Sequence, residues 1–120
     1  MKALPNDALV VRGGQNLPRS FATGTGTSLD ATGKLDNVSV NSAAGLSAAE
    51  LTKPEPKLKY LGIPHRKVGV TTVGAIRAAG GDVVPAPTRT NPNHAILKGL
   101  TPDEASRLFR PTVANPGLSP

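Results

Sequence analysis

The stretch that most constrains this 120-residue chain runs from Pro64 to Leu100 and reads strand, short helix, strand, long loop, strand. Val68 and Val70 alternate with Gly69 and Thr71, the two-residue period of a strand. The residues from Thr72 to Ala79 then take helical spacing until Gly80-Gly81 stop them. Val83-Val84 begin an apolar run that Pro85 closes, and His94-Ala95-Ile96-Leu97 supply another strand after a loop rich in Pro, Thr and Asn. The segment joining the Val68 and Val83 strands is short for a crossover of about a dozen residues. The pattern therefore leaves their relative direction open.

Before this unit, Ala8-Leu9-Val10-Val11-Arg12 forms a first strand ended by Gly13-Gly14, with Arg12 on the opposite face from Val11. Pro18 to Ala22 fits one or two helical turns, with Asn16 as a candidate cap. Threonine alternates with glycine over 23–27, too flexibly for regular structure. Asp30 and Gly33 then close a short hairpin loop, after which Val38 and Val40 alternate with polar neighbours. That strand is expected to keep one solvated face.

Two helix starts are written in side-chain chemistry. Ser47 and Glu50 fit a capping box, and Thr101-Pro102-Asp103-Glu104 adds proline at the first helical position to a second one. Ala105, Leu108 and Phe109 give the later helix an apolar stripe before Pro111 ends it. Between the two helices, 53–59 carries two prolines and three lysines and reads as a solvated connector. These elements predict a single small α+β domain over 1–111, with about five short strands and three short helices, followed by an extended Pro-rich tail over 112–120. The predicted core is Leu9, Val11, Val38, Val40, Leu51, Val68, Val70, Val73, Ile76, Val83, Ile96, Leu100, Leu108 and Phe109.

Charge narrows the partners. Fourteen Lys and Arg against eight Asp and Glu leave +6, which favours RNA or another polyanionic partner such as DNA, anionic lipid or an acidic protein. Only 2% of residues are aromatic, which disfavours a base-stacking platform for single strands. No cysteine is present, so disulfides and thiolate metal sites are excluded, and the two histidines have no ligand spacing. No metal and no cofactor is expected. No apolar run reaches the roughly 18 residues of a membrane span. The N-terminus has no apolar signal core, and the cytoplasm is the expected compartment. The pattern sets no oligomeric state.

The candidate chemistry lies in two groups. Thr71 or Thr72 caps the helix after the Val68 strand, where free amides can hold an anion, with Arg12, Arg66 and Lys67 adding charge. His65, in a cationic cluster, and His94, at a strand start, are the candidate proton-transfer residues. The expectation is that His94 joins Thr71 and Thr72 from a neighbouring strand. Arg12 with Ser39 or Ser42 loosely resembles the arginine and serine elements of some nicotinamide-dependent ADP-ribosylating toxins. The glutamate on a turn that completes that set is not evident, so no such activity is expected. The mixture of Gly, Thr, Pro and basic residues resembles small bacterial toxin or toxin-partner modules. Three functions compete on these grounds: a basic module binding RNA or another polyanion, a metal-independent ribonuclease using His94 or His65, and an antitoxin- or immunity-type interaction partner.

Overall fold

The computed structural model describes residues 2–22 and 27–118. Most of the Thr/Gly alternation, and the last two residues of the tail, lie outside the described residues. Six strands, β1 (Leu9–Gly13), β2 (Val38–Ala43), β3 (Lys67–Thr72), β4 (Asp82–Pro85), β5 (His94–Lys98) and β6 (Val113–Ala114), form one sheet in the order β4-β5-β2-β1-β3-β6. Every neighbouring pair is antiparallel. It follows that β3 and β4 run parallel, four positions apart, joined through α3 (Val73–Ala78). The other helices are α1 (Pro18–Ala22), α2 (Ala48–Thr52) and α4 (Pro102–Phe109). No helix among the described residues is long and apolar enough to cross a membrane.

The α+β class stands, with six strands rather than about five and four helices rather than three. The extra strand comes from the tail. Val113 and Ala114 add to the exposed edge of β3 opposite Val68 and Lys67. Asn115 then buries its amide, donating to Ile63 O and His65 O at 2.8 and 2.9 Å. The tail is extended and held to the sheet at Val113 and Ala114, and it turns at 116–117. The 28–35 segment makes less structure than a hairpin: one bridge, Leu29 to Leu35, closed by the Asp30 carboxylate accepting from Thr32 N and Lys34 N. The two capping boxes form as read, and the amide bonds they donate hold Glu50 and Glu104 below their ordinary carboxylate range.

The two faces of the sheet carry unequal layers. On one, α1, α3 and α4 cover Val10, Val38, Val40, Ala95, Leu97 and Val83, with Phe21 and Phe109 rings 5.8 Å apart at the centre. On the other, Leu51 of α2 and Ile63 cover Val11 and Val68. Both faces of β1 are therefore buried, so Val10 joins Val11 in the interior. Pairing of Val38 with Leu97 and Val40 with Ala95 turns Ala95 and Leu97 to the main core, and Ile96, expected there, to the other face. Phe21, held by a five-residue helix, is a core residue that periodicity did not mark.

With few rings available, buried amides tie the layers together. Asn16, fully buried, donates to Arg12 O and Gly14 O, and its own carbonyl accepts from Ser106 of α4. Asn41 donates to Leu51 O and Tyr60 Oη and accepts from Asn91. Each satisfies main-chain or side-chain groups that burial would otherwise leave costly.

Close approach of α4 to β3 depends on Gly69. A Cβ there would overlap the Phe109 carbonyl and lie 2.7 Å from Phe109 Cβ. Gly69→Ala is expected to destabilise the chain by about 1–3 kcal/mol through overpacking. A urea titration should show a lower midpoint with an unchanged slope; an unchanged midpoint would contradict this packing.

Candidate functional site

The site begins where two strands part. The β1–β2 ladder ends at Val11 opposite Asn41, although β1 runs on to Gly13 and β2 begins at Val38. Beyond that pair, β1 stays with β3 through Gly13 opposite Val68, while β2 stays with β5 through Val38 opposite Leu97. The sheet opens into a fork, and the space between the prongs is a cleft of about 580 Å³. That is the size range of small-molecule sites.

Hydrogen-bond alternation tells which backbone groups face this space. Gly14 N donates outward to Lys67 O and Ser42 N donates outward to Asn93 O, each at 2.9 Å. At an odd number of residues from each outward-paired position, antiparallel backbone turns to the opposite side. Gly13 and Ser39 thus direct their N–H and C=O groups into the fork, past the end of the ladder.

Arg12 forms one wall. Its Nη1 donates to Asn16 Oδ1 and its Nη2 to Ser20 O, both at 2.9 Å, and the guanidinium lies 4.3 Å from the Phe21 ring centre. Among the described residues no carboxylate lies within ion-pair distance of it. Burial lowers its pKa from the ordinary value, yet guanidinium keeps its charge in proteins. Among the described residues, the cleft therefore holds a half-buried cation without a counter-charge.

His65 forms the other wall, its ring lying over Gly13 and Gly14. A Cβ at Gly13 would overlap the His65 ring, so the glycine pair that ends β1 also gives the histidine its seat. Asn115 holds the chain on either side through Ile63 O and His65 O. Asn41, at the closed end of the fork, has both ends of its amide engaged.

His94 approaches from β5. Its Nδ1 lies 2.8 Å from Ala86 O and its Nε2 3.2 Å from Ser39 Oγ, and Ser39 lines the cleft. Ser39 and His94 stand diagonally on one sheet face, since Ser39 pairs with Ile96 and Asn41 with His94.

Of the residues singled out in the sequence, Arg12 and His65 both line the cleft, from opposite faces of β1, and His94 reaches it through Ser39. Arg66 and Lys67 are exposed and continue the chain from His65 into β3. The expected grouping of His94 with Thr71 and Thr72 does not form. Strands β2 and β1 stand between β5 and β3, about 14 Å at roughly 4.8 Å per strand. The helix start after β3 is also occupied: Thr72 Oγ1 accepts from Ala75 N, while Val73 N and Gly74 N donate to Ala8 O and Asn6 O. Thr71 lies in the β3 ladder opposite Val10. Ser42 points to the other face from Ser39 and donates to Leu9 O. The pairing of Ser39 with His94 was not anticipated; the alternation around Val38 and Val40 placed Ser39 on a solvated face but not beside a histidine. Among the described residues no group of three or more His, Asp or Glu is placed to hold a metal ion. No family model, curated protein sequence or solved structure matches the chain.

Because Asn115 carries the His65 wall, Asn115→Ala is expected to cost about 1–3 kcal/mol by leaving two carbonyls without their donor. Amide exchange should accelerate most at 62–66, read by mass spectrometry. Uniform acceleration across the sheet, or none, would show that Asn115 does not hold this wall.

Proposed function

We propose that the chain is a small basic module that binds RNA or another polyanion, and that the cleft between β1 and β2 receives a phosphate. The observation that carries this reading is Arg12: a guanidinium partly withdrawn from water, lining a cleft, with no carboxylate beside it among the described residues. A buried unpaired charge is costly, and an anionic ligand removes that cost. The Gly13 and Ser39 amides turned into the fork suit an anion as well. Outside the cleft, the sole ion pair among the described residues joins Arg77 Nε to Asp82 at 2.9 Å. Most of the surplus positive charge is left to the surrounding field. Among the described residues no Phe, Tyr or Trp lines the cleft and His65 is its one ring, so contacts to phosphate and sugar dominate over base readout.

A ribonuclease reading would use His65, whose ring lies over Gly13 in the cleft, while His94 is engaged with Ser39. A protein-partner reading rests on Leu61, which is 90% exposed close to the exposed Leu58. Neither accounts for the uncompensated charge of Arg12.

Fluorescence anisotropy with single-stranded RNA and duplex DNA at 50 and 200 mM salt tests the proposal. Binding should weaken steeply with salt. Arg12→Met should lose about tenfold in affinity or more, the scale of a hydrogen bond to a charged group. The melting temperature must be followed in parallel, because Arg12 also packs on Phe21. Salt-independent binding, or an Arg12→Met variant that binds as the parent does, would overturn it.

A further inference from the structure

We infer that Ser39 is a nucleophile activated by His94, and that the cleft hydrolyses carboxylic esters carrying an anionic group. The tautomer follows from the partners. Ala86 O can only accept, so the neutral imidazole carries its proton on Nδ1, 2.8 Å from that carbonyl. Nε2 is then the acceptor, and the Ser39 hydroxyl, 3.2 Å away, is its donor. Hydroxyl, imidazole and a third group that fixes the ring form the arrangement of an activated serine, with a main-chain carbonyl as the orienting group.

The backbone keeps this arrangement rigid. His94 opens β5, and Ala86 N donates to His94 O at 2.9 Å, so the residue that orients the ring also closes the hairpin below it. Ser39 sits within β2 with ladder pairs on either side of it. Ser39 lines the cleft, and Arg12 stands in the facing prong with its side chain on the other sheet face, against Phe21. The choice of an anionic ester rests on the phosphate-binding reading of Arg12; the serine–histidine pair itself does not.

In the reaction, Ser39 Oγ bonds to the ester carbonyl carbon and its proton passes to His94 Nε2. The carbonyl oxygen takes negative charge in a space faced by the Ser39 and Gly13 amides, the donors this step needs. The bond from carbon to the leaving oxygen then breaks, and that oxygen takes the proton from Nε2. Water, giving a proton to Nε2, attacks the acyl-serine and releases the acid, and the proton returns to Ser39 Oγ. One ester and one water give one acid and one alcohol.

A fluorophosphonate probe tests this without knowledge of the ester. Ser39 Oγ should form a bond to phosphorus with loss of fluoride, and peptide mapping should place the adduct on Ser39. His94→Asn, whose amide can still donate to Ala86 O but cannot take a proton from Ser39, should label at least about 100-fold more slowly. Circular dichroism checks that both proteins are folded, and Ser39→Ala should take no adduct at that peptide. No adduct on folded wild-type protein, an adduct elsewhere, or equal labelling of His94→Asn would overturn the inference. RNA binding measured on the same preparation separates the two readings: binding without labelling removes only the nucleophile, and labelling without binding removes only the polyanion.

Discussion

The hydrogen bonds of Asn16 decide how the chain leaves β1, and the site depends on that exit. Asn16 sits in the left-handed region at φ 54° with its side chain folded back on Arg12 O and Gly14 O. Asparagine tolerates this conformation better than most residues because its short amide can bond locally. The oxygen of that amide accepts a hydrogen bond from Arg12, and the Asn16 main-chain carbonyl accepts one from Ser106. One buried residue thus ties β1, its exit turn and α4. Beyond Asn41, β1 stays on β3 while β2 stays on β5. The fork, the seat for His65 and the exposed hydroxyl of Ser39 follow from that separation.

This arrangement explains how a chain with so few rings encloses a cleft. Large aromatic side chains bury much area each, and here only Phe21 and Phe109 do so at the centre. Amide side chains supply the cross-links between layers instead, each satisfying several groups at once. Such links hold backbone in fixed places without filling the space between, which suits walls better than a core. Arg12 shows the same economy. It packs on Phe21 as an apolar surface would and still presents charge to the cleft.

Local signals were the legible part of the fold. The capping boxes at Ser47 and Thr101 and the stop at Gly80-Gly81 depend on neighbours within a few residues. Register and strand order do not, and the expected solvated face of β2 is exposed only at Ser39, Asn41 being buried beside Leu51 and Tyr60. Whether Ala95 or Ile96 faces the core is decided by pairing with Val38 and Val40, more than fifty residues away, and composition does not distinguish the two. The tail was read as extended from its prolines, yet its hold on β3 depends on Asn115 reaching Ile63 and His65. The site divides in the same way. Arg12, His65 and His94 stand out by residue type, but which of them meet is set by the order β5-β2-β1-β3, which separates His94 from Thr71. Ser39 gains its chemical interest only from the histidine that this order brings beside it.

The central claim is that the parting of β1 and β2 makes the binding site. Amide chemical-shift mapping of the isotopically labelled chain, titrated at low salt with a short single-stranded RNA, tests it most directly. The account predicts that the largest shifts fall on Gly13, Gly14, Ser39 and His65, on both prongs of the fork. Shifts confined to the lysine-rich 53–59 connector, or spread evenly over the basic surface, would contradict it.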